Sequence, residues 1–205
     1  MEDKVREKES LVIRLGNLFF KYRSYIPVPF LIVSLIFMRP TPATMIAGFL
    51  IALCGEIIRI WSVSYAGSET RTTSGVGGTY LVTQGPYGIV RNPLYVGNIL
   101  IYTGIGIMSN ALSPWLQAAG FIFFTFQYYC IIRTEENFLA SKFGETYGKF
   151  FASVNRFMPG FGGVPKEILS DLDFSLSKGL VSEKRSIQAF AISSLLIIAG
   201  YFLLR

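Results

Sequence analysis

Two short polar stretches carry the residue types that could do chemistry in this 205-residue chain. The first, residues 81–97, contains a turn rich in glycine and proline and leads through Arg91 and Asn92 into Pro93. Proline suits the first position of a helix, and asparagine suits the capping position before it. Backbone amides at a helix start can hold an anion, and Arg91 would add a fork of donors for a carboxylate or phosphate. The alternative interpretation is a capped helix with an interfacial arginine.

The second stretch, residues 133–147, begins with Arg133 and the adjacent carboxylates Glu135 and Glu136, directly after an apolar run. Adjacent carboxylates repel each other, so they are expected to find a cationic or hydroxyl-bearing partner rather than to face lipid. A bound cationic ligand would be such a partner for the two carboxylates. The alternative is an ordinary polar helix continuing from the apolar run, with Glu135 facing Lys142 in a weakly stabilising surface arrangement.

A third candidate is the pair Glu56 and Arg59, which lie three residues apart within the apolar run 43–63. This spacing puts both on one helix face, where they can pair. Charges in hydrocarbon are costly and usually face protein or a cavity, so the two residues are candidates for a substrate site. A structural ion pair, or an arginine reaching for the lipid head groups, explains them equally well.

The residue types that are missing exclude several kinds of chemistry. The chain has no histidine, which excludes histidine-containing zinc sites and every histidine-dependent acid/base scheme. Its two cysteines, Cys54 and Cys130, both lie in apolar stretches. This placement argues against a disulfide framework and against a thiolate metal site, so no metal is predicted.

The elements that must position these residues are membrane helices. The composition, 51% hydrophobic and only 16% charged, indicates lipid as the solvent. Five apolar runs are candidate spans, although the first and third fall short of the roughly 20 residues that a span needs without their flanks. They cover residues 25–38, 43–63, 94–108, 115–132 and 187–204. We therefore predict one all-α domain over residues 1–205, a polytopic membrane bundle of about five transmembrane helices.

The distribution of lysine and arginine predicts the orientation. Six lie in residues 1–24, two in the loop 64–93 and eight in residues 133–185, whereas only Arg39 and Arg205 lie at the opposite ends of the helices. Basic residues accumulate on the cytosolic side, so the N-terminus and both long polar segments are predicted to be cytosolic. Without a basic stripe interleaved with aromatic residues, the net charge of +6 does not indicate a nucleic-acid partner.

The predicted organisation has four parts. Residues 1–24 form an interfacial segment, and residues 25–132 form four transmembrane helices around the loop 64–93. Residues 133–186 form a cytosolic segment, and residues 187–205 form the fifth helix. The bilayer is the one partner this pattern requires, and Gly104 and Gly106 are compatible with close helix contact within one chain or in a homo-oligomer.

Together, the two polar stretches resemble the isoprenylcysteine carboxyl methyltransferase and phospholipid methyltransferase superfamily of integral membrane enzymes. The first family motif is matched by Leu81, Val82, Thr83, Gly85, Pro86, Tyr87, Val90, Arg91, Pro93, Tyr95 and Gly97. The second is matched by Arg133, Glu135, Glu136, Leu139, Phe143, Gly144 and Tyr147. Residues 156–159 are similar to the family's closing R-F-x-P motif. The likeness covers about residues 80–159.

The resemblance implies a methyltransferase that uses S-adenosylmethionine, releases S-adenosylhomocysteine and binds the cofactor on the cytosolic side. The carboxylate of S-adenosylmethionine would suit Arg91, Tyr87 and the amides around Asn92. Its amino group, ribose hydroxyls and sulfonium would meet Glu135 and Glu136. The whole implied cofactor set is Leu81, Val82, Gly85, Pro86, Tyr87, Arg91, Asn92, Pro93, Tyr95, Glu135 and Glu136. Arg133 would act as the catalytic residue by positioning the methyl acceptor.

Two departures from the family pattern bear on the acceptor, because Asn92 and Thr79 stand where the family has histidine. Without an imidazole to take up a proton, the acceptor is predicted to be a carboxylate, which is already deprotonated at neutral pH. An isoprenylcysteine-like molecule or another lipid acid would fit. The alternatives are N-methylation of phosphatidylethanolamine, a relative of the membrane NADPH-dependent sterol reductases, and a non-catalytic binding homologue.

Overall fold

The computed structural model describes residues 11–67, 80–160 and 162–203, and over these ranges the chain folds into helices without a strand. Its α-helices are α1 (Leu11–Tyr22), α2 (Pro27–Ile36), α3 (Pro42–Ala66), α4 (Pro93–Ser109), α5 (Trp115–Ser153) and α6 (Leu176–Leu203). Short 3₁₀ turns lie at Gly85–Gly88 and Lys166–Ile168. The predicted all-α polytopic membrane bundle is confirmed.

Three of these helices, α3, α5 and α6, are both long and apolar enough to cross a bilayer. Helices α1 and α2 pass the same test only together, as a pair bent by 64°. Helix α4 is apolar but has 17 residues, or about 26 Å at the α-helical rise. Over the described residues, each of the five predicted apolar runs therefore lies mainly within one helix, and these residues give three spans, or four if the bent pair counts as one.

Helices α3 and α4 form the most extensive contact between the described helices, and glycines line both sides of it. A Cβ at Gly104 would lie 2.6 Å from the carbonyl oxygen of Gly48, and one at Gly97 would lie 2.7 Å from that of Gly55. Small residues let helix backbones approach this closely within a membrane. The contact fixes the start of α4, and so the end of the first polar stretch, against α3.

Helix α5 carries the second polar stretch and is longer than the sequence predicts. It continues past residue 132 as regular helix to Gly144, which breaks it with a φ of 51°. The paired glutamates therefore stand on a continuous helix, in its sixth turn. Helix α1 packs beside them, since a Cβ at Gly16 would lie 2.9 Å from the carbonyl carbon of Cys130.

Helix α6 also begins earlier than predicted, at Leu176 rather than at residue 187. Its first turns pack on α3: the Ser175 amide donates to the Ser64 carbonyl at 2.9 Å, and Gly179 lies directly against the Ser64 side chain. The polar part of the sequence before residue 187 is therefore helical and packed. The first ten residues and residues 68–79, including Thr79, lie outside the described part of the chain.

Candidate functional site

The loop that leads into α4 lies beside the segment that follows α5. Two backbone hydrogen bonds join them: the Arg91 amide donates to the Asn155 carbonyl at 2.8 Å, and the Gly160 amide donates to the Ile89 carbonyl at 2.9 Å. Gly85 begins the turn with a φ of 58°, where its hydrogen faces the ring of Tyr65. A side chain at that position would meet both backbone strain and the ring.

Thr83 ties the same loop to residues 168 and 170. It is fully buried; its hydroxyl donates to the Ile168 carbonyl at 2.9 Å and accepts from the Ser170 amide at 2.8 Å. An apolar cluster of Tyr147, Phe150, Val154 and Ile168 packs under the loop, with Leu81 and Tyr87 at its edge. The loop is therefore held in place by segments that follow it by 60 residues or more.

Glu136 forms the centre of an ion cluster at this junction. Its Oε1 accepts from Arg91 Nη2 at 3.0 Å and from Arg156 Nε at 3.1 Å, and its Oε2 accepts from Arg156 Nη2 at 2.6 Å. Arg91 Nη1 donates in addition to the carbonyls of Phe151, at 2.9 Å, and Val154. Arg91 thereby also satisfies carbonyl groups at the C-terminal end of α5, where a positive charge is favoured.

This cluster holds more positive than negative charge. Two guanidinium groups face one carboxylate, and the side chains of Arg91, Glu136 and Arg156 are only 7, 6 and 21% exposed. The hydrogen bond to Glu136 is the main cause that raises the pKa of Arg156, so its charge is kept at any physiological pH. The buried Nε of Arg91 has no hydrogen-bond partner among the described residues. A surplus positive charge with an unpartnered donor suits an anionic ligand group.

Glu135 points to a different set of partners. The Tyr95 hydroxyl donates to its Oε1 at 2.6 Å, and the Tyr95 ring stacks on Tyr128 with centroids 4.9 Å apart. Burial, and then the nearby charge of Glu135, raise the pKa of Tyr87, so its hydroxyl remains a proton donor. The adjacent glutamates thus divide the site, with Glu136 facing arginines and Glu135 facing tyrosines.

The structure brings most of the predicted cofactor residues to this one junction. Pro93 is buried at the first position of α4 and Asn92 is its N-cap residue. The Asn92 side chain does not cap the helix; its amide donates to the Arg156 carbonyl at 3.4 Å instead. Pro86 is buried in the turn, and Val82 is half-buried before it.

Arg133, predicted to position the methyl acceptor, lies apart from the ion cluster. It is exposed on α5 and makes no ion pair or side-chain hydrogen bond within residues 11–67, 80–160 and 162–203. Its guanidinium is therefore available at the surface of the helix that carries Glu135 and Glu136. Whether it meets an acceptor stays a prediction.

Glu56 and Arg59 do not form the hydrogen-bonded ion pair that their spacing predicts. Arg59 donates from Nε at 3.0 Å, and from Nη2, to Glu183 of α6, and from Nη1 to Asn98 of α4. Glu56 accepts from the Ser186 hydroxyl at 2.8 Å. The direct pair that the spacing permits does not form because α6 begins before its apolar run, which brings two polar residues of α6 against α3. Whether Glu56 and Arg59 meet a substrate stays a prediction.

The sequence did not reveal two sets of partners: Glu183 and Ser186 in the contact between α3 and α6, and Arg156 in the ion cluster. Glu183 and Ser186 carry no separate signal, since they belong to a charged block that is typical of a solvated loop. Arg156 matched the closing family motif, but nothing in its spacing indicated that it would form an ion pair with Glu136. The contact between these residues depends on chain segments 20 positions apart.

Comparison with known proteins gives a family match and two relatives. The profile described as phospholipid methyltransferase matches residues 43–146, from α3 through both glutamates. The chain is similar to the cobalt-zinc-cadmium resistance protein CzcN of Cupriavidus metallidurans, at 33% identity over 141 residues, which cover 65% of this chain and 59% of the relative. It is similar to the nickel-cobalt-cadmium resistance protein NccN of Alcaligenes xylosoxydans xylosoxydans, at 33% over 103 residues, or 50% and 44%.

The chain thus spans less than two thirds of the length of either relative. The family profile, by contrast, covers half of this chain and contains most of the junction described above. No solved structure matches the sequence.

Proposed function

The chain belongs to the phospholipid methyltransferase family, and from this premise we propose that it is a membrane methyltransferase that uses S-adenosylmethionine as methyl donor. The observation that carries the proposal is the meeting of two distant stretches, residues 81–97 and 133–147, around two sets of charged groups. One group is rich in guanidinium and the other is a carboxylate flanked by tyrosines. The cofactor bears both a carboxylate and cationic groups, so this division suits it.

The residues of the junction fit such a cofactor by their chemistry. Arg91, with its unpartnered Nε, is suited to the amino-acid carboxylate. Glu135 and the hydroxyls of Tyr87 and Tyr95 are suited to the ammonium, ribose hydroxyl and sulfonium groups. When bound, S-adenosylmethionine would supply an electrophilic methyl group. The protein's part is to align that methyl with the acceptor and to exclude water, rather than to move protons.

For the acceptor we propose a lipophilic molecule with a carboxylate, such as an isoprenylcysteine-like compound or another lipid acid. A carboxylate is already ionised at neutral pH and needs no base, which agrees with a chain that has no histidine. Arg133 supports this choice, since an exposed guanidinium one turn from Glu136 has the fork that binds a carboxylate in two places. Such an acceptor would enter from the bilayer between helices.

A second candidate is N-methylation of a phospholipid amine, which the description of the matching family favours. An ammonium acceptor must lose a proton before it can attack a methyl group, and Glu135 is the carboxylate at the junction placed to receive it. The two relatives are named for metal resistance. Neither name specifies a reaction, so the acceptor is argued from this chain's own chemistry.

We also propose that the site faces the cytosol. Sixteen of the 19 basic residues lie in the segments predicted to be on that side, including the N-terminal residues and those that follow α5. The donor is water-soluble, and a cytosolic site would meet it directly. The acceptor would come from the membrane.

The proposal is tested by incubating membranes that contain the chain with S-adenosylmethionine labelled in its methyl group. A labelled lipid whose label is released by mild base supports a methyl ester, and a base-stable label supports an N-methyl amine. The control is Lys149→Gln, which removes an exposed charge on α5 outside the junction. If no lipid is labelled and purified protein binds S-adenosylhomocysteine, the chain is a non-catalytic binding homologue. If it binds neither donor nor product, the proposal is refuted.

A further inference from the structure

We propose that Arg156 is a positioning residue of the donor site, which acts through Glu136 and Arg91 to maintain the anion-binding side of the junction. The proposal rests on the proposed function, because it assumes that a carboxylate-bearing donor binds there. Arg156 lies outside residues 43–146, the part of the chain that the family profile matches. Its role is therefore argued from the contacts alone.

The first contact is a two-pronged ion pair. Arg156 donates from Nε to Oε1 of Glu136 at 3.1 Å and from Nη2 to Oε2 at 2.6 Å. This parallel geometry is specific to arginine and fixes the plane of the carboxylate as well as its position. Glu136 is 6% exposed, so little water is available to replace a lost partner.

The second contact joins Arg156 to the loop before α4. The Asn92 amide donates to the Arg156 carbonyl at 3.4 Å, and the adjacent Asn155 carbonyl accepts from the Arg91 amide at 2.8 Å. Arg156 thus touches α5 with its side chain and the N-cap of α4 with its backbone. One residue links the two polar stretches that form the site.

The third point is charge. With Arg156 present, two guanidinium groups share Glu136, and the cluster keeps a formal surplus of one positive charge. Without Arg156, Glu136 would neutralise Arg91, and the surplus that favours an anionic ligand group would vanish. Arg91 is already held by the Phe151 and Val154 carbonyls, so it would remain in place while its charge became engaged by Glu136.

Arg156→Gln should therefore weaken binding of S-adenosylhomocysteine by on the order of tenfold to a hundredfold, the range expected for losing a charge-assisted interaction. Methylthioadenosine lacks the amino-acid carboxylate, so its affinity should change by less than about threefold. In the methyl-transfer assay the KM for S-adenosylmethionine should rise by a similar factor as the loss of affinity, while kcat at saturating donor stays within about twofold.

The experiment measures both ligands by calorimetry on the full chain in lipid nanodiscs, with Arg156→Gln, Arg156→Lys and the exposed control Lys149→Gln. Arg156→Lys keeps the charge but not the fork, so it should recover part of the lost S-adenosylhomocysteine affinity. Unchanged affinity in Arg156→Gln, or equal losses for both ligands, would overturn the proposal. Should Arg156→Gln fail to fold, Arg156→Lys decides: a selective loss for the carboxylate-bearing ligand supports the proposal, and wild-type affinity refutes it.

The two proposals fail in different ways. If wild-type protein binds neither ligand, the donor site itself is absent. If wild-type protein binds S-adenosylhomocysteine and the Arg156 variants bind it equally well, the donor site stands and only the role of Arg156 is lost.

Discussion

Removal of Glu183 is the perturbation whose effect on stability the structure defines most clearly. Glu183 is buried in α6, and Arg59 of α3 donates to it from two nitrogens. In Glu183→Gln the side-chain shape is retained but the charge is lost. Arg59 would then lose the carboxylate to which two of its nitrogens donate inside the bundle, and would keep its hydrogen bond to Asn98.

The expected loss of stability follows from burial. Breaking one side of a buried ion pair costs about 3–5 kcal/mol, and a charged residue at the centre of a membrane helix costs about 2.5–3.5 kcal/mol. Arg59 is 16% exposed and Glu183 is 3% exposed, and Asn98 still accepts from Nη1. We therefore expect Glu183→Gln to lower the free energy of unfolding by about 3 kcal/mol, the lower end of the range for a broken buried ion pair.

The assay is a double-mutant cycle, measured as the free energy of unfolding in mixed micelles of increasing denaturing detergent. Arg59→Gln alone should also destabilise, because it removes the guanidinium that donates to the buried Glu183 from two nitrogens. The double variant removes both charges and should lose no more than about 1 kcal/mol. The exposed pair Glu145 and Lys149, 3.4 Å apart, provides a matched cycle in which no measurable coupling is expected.

The losses of the two single substitutions are not expected to add in the double variant. Additive losses would mean that Arg59 and Glu183 contribute independently and that the charge left behind is not the cause of the destabilisation. A coupling energy for the buried pair no larger than that for the surface pair would equally contradict a stabilising ion pair between Arg59 and Glu183.

Three further outcomes are expected. Gly104→Ala should destabilise the contact between α3 and α4 by about 1–3 kcal/mol, because its Cβ has no room. Gly148→Ala has nothing within 4 Å of the new Cβ, so it should stabilise the fold by up to about 1 kcal/mol. Thermal unfolding distinguishes the two variants. Tyr95→Phe removes the donor to Glu135 but keeps the ring, so S-adenosylhomocysteine affinity should fall by roughly tenfold and the free energy of unfolding by about 1–3 kcal/mol. In Lys149→Cys, the new thiol should be labelled by a membrane-impermeant reagent only after the cytosolic side is opened.

The sequence predicted those parts of the fold and site that depend on local patterns. Apolar runs located the helices, and proline after asparagine located the start of α4 at Pro93. The motif residues Arg91 and Glu136, 45 positions apart, were expected at one site and meet there through a hydrogen bond. Their direct ion pair was not expected, since each was assigned to the ligand rather than to the other.

The remaining features could not be predicted because they depend on packing. The polar start of α6 has the composition of a loop, and only contact with α3 makes a helix with Glu183 buried there favourable. Likewise, Arg59 could have paired with Glu56 along its own helix by spacing alone. The choice of Glu183 was made by helix placement, which hydropathy does not encode.

Calorimetry with S-adenosylhomocysteine shows whether the junction of the two polar stretches binds the methyl donor. Wild-type chain and Lys149→Gln in nanodiscs are expected to bind one ligand per chain, and Glu135→Gln is expected to lose most of that affinity. No binding by the wild type, or full binding by Glu135→Gln, would contradict the account.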